Sequence, residues 1–412
     1  MPGSFPTLPT AVIVRFSEIT LKGRNRRQFE RRMRENIALH LRPLGAYRVE
    51  GKHLSVEIGP AGEGEADLVT AAEVVRGLPG VANISLVRRV PSEPAALAAA
   101  VGDLVGELLA GEAPGEQRTP TFRVAVNRRD KRYPTPSMAL AAELGRAVLE
   151  RFPHLHVNLT APDITVLVDI VPEGALLAER RLPGPGGLAV GSSAPALCLL
   201  SAGIDSPVAA YLMMTRGCPI AYLNFHSFPF IGEQSKEKAR DIVRFLARYQ
   251  PRSRLHVAPF AEIQRAIRDL CPEGLRTVLY RRMMNRVANH VARRERALAL
   301  VTGESVGQVA SQTMENLAVI HRVAELPVLQ PLIGLTKHEI VQRARAIGTY
   351  PISIQPFPDC CTLFQPRHPE THARLERVEA AEACLPVDDL VAACLAGIET
   401  SDYGPEYYPA RW

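Results

Sequence analysis

The sequence predicts an α/β protein whose second half is a parallel sheet covered by helices, with smaller domains before it. From residue 196 onward, short apolar runs alternate with amphipathic stretches, as in β-α-β units. Glycine, proline and serine concentrate in RLPGPGGLAVGSSAP, residues 181–195, which indicates a linker without packed structure. The chain has 412 residues, more than one ordinary core accommodates, so we expect two or three domains.

Composition excludes several classes of protein. A hydrophobic content of 46% with 22% charged residues is typical of a folded, soluble chain. No apolar run approaches the roughly 20 residues of a membrane span, and MPGSFPTLPT lacks the features of a signal peptide. We therefore expect a cytoplasmic protein with no membrane partner. Seven cysteines, none in a CxxC pair, do not indicate a disulfide framework.

The first segment, residues 11–74, is basic. Residues 1–50 carry the whole net charge of +6. Alternation at Val12 and Val14 predicts a strand, and Phe29, Met33 and Ile37 recur as on a helix. A local basic excess is typical of a polyanion partner, although for any one arginine a solvated helix face is the alternative. The candidate contacts here are Lys22, Arg24 and Arg27.

The second segment, residues 75–180, contains a second basic region. An Ala-rich stretch at 95–110 predicts a surface helix, and FRVAVNRRDKRYPTPSM predicts a strand that runs into a basic loop. A helix ending near residue 152 and a strand at 164–171 follow. A basic loop with an aromatic residue suits RNA, and an ordinary charged hairpin is the alternative. The candidate contacts are Arg128, Arg129 and Lys131, with Tyr133 at the tip.

The third segment, residues 196–412, carries the alternating pattern. Strands are predicted at 196–200, 219–225, 254–260, 297–302 and 327–330, and helices at 207–216, 234–249, 261–269, 277–296 and 337–347. Thr336 begins a capping box with Glu339. Because ligands of such sheets bind at the carboxyl ends of the strands, the first βα loop is the expected site.

That loop, SAGIDS at residues 201–206, joins an apolar run to a helix start. Unpaired N–H groups and the helix dipole make such a place an anion site. We expect Ser206 to cap the helix, Pro207 to lie in its first turn and Gly217 to end it. The alternative is a well-capped strand-to-helix turn without function, because short glycine loops match by chance.

Six blocks of this chain resemble a known family. SxGxDS after a buried strand is similar to the PP-loop of ATP pyrophosphatases. Five further blocks resemble the tRNA 4-thiouridine synthetases of the ThiI family: NFHSFPF at 224–230, RRMMNRVANHVA at 281–292, TGESVGQVASQT at 302–313, PLIGLTKHEI at 331–340 and PFPDCCTLFQP at 356–366. The first two segments are similar to that family's ferredoxin-like and THUMP domains, both α+β. The resemblance thus implies that residues 196–412 form a PP-loop ATP pyrophosphatase domain.

The resemblance implies an ATP-dependent tRNA sulfurtransferase. It would adenylate O4 of the uridine at tRNA position eight with loss of pyrophosphate, and sulfur would then displace AMP. The ATP-binding positions carried over are Leu199, Leu200, Ser201, Gly203, Ser206, Asn224, Phe225, Arg281, Gly303 and Gln312. Asp205 would repel phosphate unless Mg²⁺ lies between them, so we expect a catalytic or magnesium-linked role for it. Some relatives also supply sulfur for the thiazole of thiamine.

Cys360 and Cys361 are the candidate reactive thiols. Adjacent cysteines cannot close an ordinary disulfide without strain and lack metal-ligand spacing, so two small loop residues are the alternative. The resemblance assigns the family's catalytic cysteine to Cys361. We expect no metal held by side chains, and nothing in the spacing supports an iron–sulfur cluster. Cys384 and Cys394 are expected to be packing residues.

The sulfur donor is expected to be a separate protein. Longer relatives carry a C-terminal rhodanese domain of about 100 residues, and 51 residues follow Cys361. We therefore expect a cysteine desulfurase or a separate rhodanese to deliver persulfide, or inorganic sulfide to serve. A homodimer is one oligomeric state open to the protein.

Two other functions remain open from the sequence. One is another PP-loop adenylating enzyme, against which the basic N-terminal region argues. The other is a tRNA-binding protein whose catalytic site has decayed, which Ala202 favours because it stands where a glycine is usual. A positive φ at Ala202, or its methyl group inside the anion site, would support that reading.

Overall fold

The computed structural model describes residues 9–18, 25–52, 54–62, 66–110, 119–357 and 363–405. The chain divides into two compact units, Met1–Gly186 and Gly187–Trp412. The division falls inside the predicted linker, whereas the proposed boundary between residues 74 and 75 stays a prediction. No helix among the described residues is long and apolar enough to cross a membrane.

Strands dominate the first unit. Its strands in the described ranges are β1 (Ala11–Phe16), β2 (Tyr47–Lys52), β3 (Ser55–Pro60), β4 (Val81–Val90), β5 (Thr121–Arg128), β6 (His156–Val157), β7 (Ile164–Val171), β8 (Gly174–Ala178) and β9 (Leu182–Pro183). Its helices there are α1 (Arg26–Leu41), α2 (Leu68–Arg76), α3 (Pro94–Ala110) and α4 (Ser137–Arg151), with a 3-10 turn at Arg42–Leu44. The strands and helices predicted in both basic segments are confirmed.

The nine strands form one sheet in the order β2-β3-β1-β4-β8-β7-β5-β6, and β9 pairs with β4. Strand β4 is antiparallel to both β1 and β8, so it joins the two halves of the sheet. Helices α3 and α4 pack on one face, where their apolar side chains form a buried cluster with Val166, Val168 and Ile170 of β7. Because side chains alternate along a strand, the residues between Val166, Val168 and Ile170 point to the opposite face of the sheet.

The predicted linker contains more structure than expected. Leu182–Pro183 forms β9, and Leu188, Ala189 and Val190 are buried within the second unit. The prediction of a segment without packed structure is therefore wrong for residues 182–183 and 188–190. The apolar residues Leu-Ala-Val between the glycines bury surface that glycine and proline content alone does not reveal.

The second unit contains the predicted alternation. Its described strands are β10 (Ala196–Leu199), β11 (Ile220–His226), β12 (Ser253–Pro259), β13 (Leu300–Val301), β14 (Val328–Leu329) and β15 (Glu399–Tyr403). Its described helices are α5 (Asp205–Thr215), α6 (Gln234–Leu246), α7 (Ala261–Leu270), α8 (Arg276–Arg294), α9 (Met314–His321), α10 (Lys337–Ala346), α11 (Tyr350–Ser353), α12 (Leu375–Glu382) and α13 (Val387–Ala396), with 3-10 turns at Ala247–Tyr249, Glu273–Leu275 and Ala310–Gln312.

Its six strands form a sheet in the order β14-β13-β10-β11-β12-β15. Five strands are parallel, as predicted, and β15 is antiparallel to β12 at the edge. The short polar sequence of β15 has no apolar alternation, so the sequence did not reveal it. Buried clusters cover both faces: α7, α8 and α13 pack on one, and α5, α6 and α10 on the other. The carboxyl end of β10 therefore lies at the centre of the sheet, next to the loop 201–206.

A buried ion pair joins α8 to α12. The guanidinium of Arg282, 1% exposed, donates to both carboxylate oxygens of Glu382 at 3.2 and 2.8 Å. Arg286 donates to the same two oxygens at 2.6 and 2.8 Å. Since a buried carboxylate needs such partners, these arginines hold the C-terminal helices against the sheet.

Candidate active site

The loop after β10 is closed by a serine. The Oγ of Ser206 accepts from the Ser201 N–H at 3.0 Å and donates to the Ser201 carbonyl at 2.9 Å. The helix begins at Asp205, with Ile204 as an N-cap residue that provides no side-chain bond. The prediction that Ser206 caps the helix is therefore wrong, because its hydroxyl ties the two ends of the loop together. The Ile204 side chain leaves the first-turn N–H groups of α5 uncapped, as an anion site requires.

Ala202 fits this loop without strain. It is not among the residues with positive φ. The residue is 1% exposed and packs in the buried cluster with Val208 and Leu332. Its methyl group thus points into the core, and neither condition for a decayed site is met.

A cavity lies beside the loop at the carboxyl edge of the sheet. Ten of the predicted residues line it: Leu199, Leu200, Ser201, Asp205, Ser206, Asn224, Phe225, Arg281, Gly303 and Gln312. Gly203 does not line it, and its N–H lies 3.4 Å from the Ser201 hydroxyl. Three further lining residues, Met284, Thr302 and Glu304, were not predicted.

Gly303 lies against the backbone of α5. A Cβ atom at this position would stand 2.7 Å from the Ser206 nitrogen and 2.8 Å from the Asp205 carbonyl carbon. Both distances are shorter than real Cβ contacts. Only glycine lets the strand end and the helix start approach this closely.

Glu304 is the centre of a buried polar network. It is 1% exposed and pairs with Arg281. It also accepts from the Thr302 hydroxyl at 2.7 Å and the Gln330 amide at 2.6 Å, and it lies 3.0 Å from His321 Nε2. Burial alone would raise the pKa of Glu304, but Arg281 and these partners outweigh it and hold the pKa at about 2. An acid directly after a buried strand was the signal available in the sequence.

Asp205 is held between two side chains from later elements. Lys337 Nζ lies 2.6 Å from Oδ1, and the Gln308 amide donates to Oδ2 at 2.8 Å. Lys337 was not among the predicted site residues, although it is the first residue of the helix whose capping box was predicted. That capping box, between Thr336 and Glu339, is confirmed. A lysine in the first turn of one helix thus meets a carboxylate in the first turn of another.

The wall formed by β11 is also fixed by contacts. The Asn224 amide donates to the Leu200 carbonyl at 2.9 Å, which joins the ends of β11 and β10. The Phe225 ring packs edge-on against Phe260 at 5.0 Å.

Gln312 accepts from the Ser305 N–H at 3.3 Å, so its side chain holds the loop after β13.

Cys360 and Cys361 lie outside the described residues, which end at Phe357 and resume at Leu363. Before them, Lys238 Nζ donates to the Gln355 carbonyl at 2.9 Å. After them, the Phe364 ring lies 5.3 Å from Phe230, which follows β11, and the Arg268 guanidinium lies 4.7 Å from that ring. The described residues that flank the cysteine pair therefore contact α6 on one side and the chain after β11 on the other.

The described cysteines differ in exposure. Burial raises the pKa of the thiol to about 12 in Cys198, about 11 in Cys271 and about 12 in Cys394. The thiolate is the nucleophile, so these three are poor candidates for sulfur chemistry. Cys384 is exposed, and the expectation that it packs is therefore wrong. No group of three or more metal-binding side chains occurs in the described ranges.

The predicted tRNA contacts all belong to the first unit. Lys22 and Arg24 lie outside the described residues, and Arg27 and Lys131 are exposed. Arg128 donates to the Tyr133 carbonyl at 2.7 Å, so it supports the basic loop instead of facing solvent.

Two other side chains of the basic loop are also engaged. Arg129 lies 3.3 Å from Asp169. The Tyr133 hydroxyl donates to the Ser92 carbonyl at 2.9 Å, and its ring packs against the cluster under α3 and α4. The expectation of an aromatic tip is therefore wrong.

Three family models match the chain. The model described as thiamine biosynthesis protein (ThiI) matches residues 191–387, the ThiI ferredoxin-like domain matches 11–85 and the THUMP domain matches 98–178. A probable tRNA sulfurtransferase of Moorella thermoacetica is 44% identical over 96% of this chain and 98% of its own. One of Listeria monocytogenes is 37% identical over 94% of both chains.

Two solved structures are also similar to this chain. A crystal structure of a 4-thiouridine synthetase–RNA complex with bound ATP has a TM-score of 0.85 at 34% identity, and it covers 96% of this chain and 100% of its own. The structure of PH1313 from Pyrococcus horikoshii has a TM-score of 0.63 at 21% identity, covering 82% of this chain and 99% of its own, which shows the fold alone.

Proposed function

Because the chain belongs to the ThiI family of tRNA sulfurtransferases, we propose that this enzyme makes 4-thiouridine at position eight of tRNA in two steps at the cavity beside residues 201–206. In the first step, O4 of the uridine attacks the α-phosphorus of ATP. A bond forms between O4 and that phosphorus, the bond to the bridging oxygen breaks, and pyrophosphate leaves. In the second step, sulfide or the outer sulfur of a persulfide on Cys361 attacks C4, the C4–O4 bond breaks, and AMP leaves with the oxygen. When a persulfide is the donor, a second thiol then attacks its inner sulfur, the S–S bond breaks, and an external thiol reduces the disulfide that forms.

The observation that carries this proposal is the loop at the cavity wall. The first-turn N–H groups of α5 carry no cap from Ile204, and the Ser206 hydroxyl holds the loop closed. Fixed donors of this kind stabilise the charge that develops on a departing pyrophosphate, with little covalent chemistry required of the protein. The solved relative with bound ATP supports ATP as the nucleotide.

Lys337 and Arg281 supply positive charge at this wall. Lys337 pairs with Asp205, so it is already held at the helix start where phosphate would bind. Arg281 is oriented by the buried carboxylate of Glu304. We expect Lys337 to exchange part of its contact with Asp205 for phosphate oxygens when ATP enters.

Asp205 is the residue that fits a magnesium ion. It lines the cavity, and in the described ranges no group of three metal-binding side chains accompanies it. A single carboxylate suits Mg²⁺, which takes most of its ligands from water and nucleotide phosphates. When bound, the ion would neutralise phosphate charge beside Asp205.

Cys361 is proposed as the sulfur carrier. Cys361 precedes Phe364 by three positions, so the covalent chain limits the distance between their Cα atoms to about 11 Å. Phe364 packs on Phe230, which follows the strand whose end lines the cavity. Burial raises the pKa of the Cys198, Cys271 and Cys394 thiols, which makes these three poor sulfur carriers. Whether Cys360 assists, whether a desulfurase or a rhodanese delivers the sulfur, and whether the enzyme is a homodimer stay predictions.

The test is a reaction with purified components. The protein is incubated with unmodified tRNA, magnesium ATP and either sulfide or a cysteine desulfurase with cysteine, and the nucleosides are analysed by mass spectrometry. We expect 4-thiouridine with the wild-type protein and none with Asp205→Ala. Absence of 4-thiouridine with both sulfur sources contradicts the proposal. A role in thiamine synthesis stays a separate prediction, tested by thiazole formation in the same mixture with its acceptor protein.

A further inference from the structure

Three arginines of the first unit converge on one carboxylate. Nη2 of Arg15 lies 2.8 Å and Nη2 of Arg129 lies 3.3 Å from Oδ2 of Asp169, and Nη2 of Arg181 lies 3.8 Å from Oδ1. Arg15 belongs to β1 and Asp169 to β7, whereas Arg129 follows β5 and Arg181 precedes β9. The sheet therefore brings together charges that the sequence holds far apart.

This cluster lies on the sheet face turned away from α3 and α4. Val168 and Ile170 pack under those helices, so Asp169 between them points to the opposite face. There its strand neighbours Leu167 and Val171 pack with Ala11 and Ile13. The helices α3 and α4 thus leave the arginines uncovered.

The cluster has an excess of positive charge. Asp169 supplies one negative charge for three guanidinium groups, and its Oδ1 already accepts from the Asn127 amide at 3.3 Å. No other carboxylate in the described ranges lies within ion-pair distance of Arg129 or Arg181. The three arginines and Asp169 together therefore carry a net charge of +2.

The three arginines differ in exposure. Their side chains are 15% exposed in Arg15, 31% in Arg129 and 45% in Arg181, so the cluster opens to solvent on one side. Arg15 is also fixed, because it donates to Ser85 Oγ at 3.0 Å and to Asn83 Oδ1 at 3.3 Å. Burial lowers the pKa of the Arg15 guanidinium, and the positive charges of Arg181 and Arg129 lower it further. The Asp169 carboxylate raises the pKa of Arg15 and so opposes this shift.

We propose that Arg129 and Arg181, held in place by Asp169 and Arg15, bind a backbone phosphate of the tRNA. A guanidinium has five N–H donors in a planar fork that matches phosphate oxygens, and most of these donors remain available on Arg129 and Arg181. The long contacts with Asp169 orient both groups without occupying them. This assignment rests on the proposed function, because it takes tRNA as the ligand.

The test measures tRNA binding of Arg129→Ala and Arg181→Ala between 50 and 200 mM salt by filter binding. Each variant should weaken binding about 3- to 10-fold at low salt, and the double variant Arg129→Ala/Arg181→Ala should lower the slope of log K against log salt by about 0.7 to 0.9, since it loses the one phosphate contact. Arg181→Lys keeps the charge and should keep the slope. The matched control is Arg146→Ala, an exposed arginine on α4, which should change neither quantity.

Two outcomes separate this inference from the proposed function. If Arg129→Ala and Arg181→Ala bind tRNA with the affinity and slope of Arg146→Ala, the phosphate site is overturned, whether or not the wild type makes 4-thiouridine. If the wild type makes no 4-thiouridine but the two variants lose affinity as expected, the site stands and the proposed function fails. Unfolding midpoints of both variants check that any loss of binding does not come from loss of fold.

Discussion

Replacement of Gly303 by alanine tests whether the contact between β13 and α5 shapes the nucleotide site. The added Cβ would stand 2.7, 2.8 and 2.9 Å from three backbone atoms of Asp205 and Ser206, whereas ordinary contact begins at 3.4 Å. The start of α5 must therefore move by about 0.7 Å. Backbone cannot swing away as the end of a long side chain can, so the displacement falls on the N–H groups that would bind phosphate.

The size of the effect follows from the overlap. Overpacking of this kind costs about 1 to 3 kcal/mol. If all of that energy opposes nucleotide binding, affinity for ATP falls about 5- to 140-fold, because 1.4 kcal/mol corresponds to a factor of ten. Any part absorbed by the fold appears instead as a lower free energy of unfolding.

Isothermal titration with ATP and urea denaturation measure the two parts separately. Gly334→Ala is the matched control, since a Cβ at Gly334 meets no atom within 4 Å. We expect Gly303→Ala to lose ATP affinity and Gly334→Ala to keep it. If Gly303→Ala binds ATP as the wild type does and unfolds at the same urea concentration, the reasoning from this contact is refuted.

Three further predictions follow from single side chains. Cys361→Ser should lose 4-thiouridine formation from a persulfide donor but still release pyrophosphate. The control Cys384→Ser, at an exposed cysteine, should keep both activities. Normal thiolation by Cys361→Ser contradicts the carrier role. Glu304→Gln should lower the free energy of unfolding by about 3 kcal/mol at pH 7 in urea denaturation, because the pKa of Glu304 lies at about 2 in the fold against 4.5. That stability is present above about pH 4.5 and fades as the pH falls towards 2, so an equal loss at pH 3 and pH 7 would argue against it. Burial lowers the pKa of His40 from 6.5 to about 4, so the unfolded chain takes up the proton first and stability falls as the pH drops below about 6.5. The wild type should lose about 2 kcal/mol more than His40→Leu between pH 7 and pH 5, and parallel pH curves would show that His40 is not responsible.

Local patterns predicted most of the second unit correctly. Apolar runs and capping signals located five parallel strands and the helices between them, because both depend on residues a few positions apart. Since such strands end at one edge, the loop 201–206 could be predicted as the site. The resemblance to the ThiI family named ten of the residues that line the cavity there. The prediction for Ser206 was wrong because the hydroxyl of a serine at a helix start can either cap the helix or bond to the preceding loop. Only the loop geometry shows that the Ser206 hydroxyl bonds to Ser201.

The missed residues share one property: their partners are distant in the chain. Lys337 meets Asp205 across 132 positions, and Arg282 meets Glu382 across 100. Glu304 draws partners from α8, α9 and the end of β14. No periodicity within a helix or strand encodes such meetings.

The sequence by itself therefore determined the family, the order of strands and helices, and the edge of the sheet where the site lies. The motif blocks carry the family. Apolar periodicity and turn residues carry the order of the elements and the edge, because they act between near neighbours. Only the tertiary structure decided which charges meet: Lys337 with Asp205, Arg281 with Glu304, and three arginines with Asp169. The reason is physical, since the strength of a charge interaction depends on distance and burial, and both are set by how the whole chain folds back on itself.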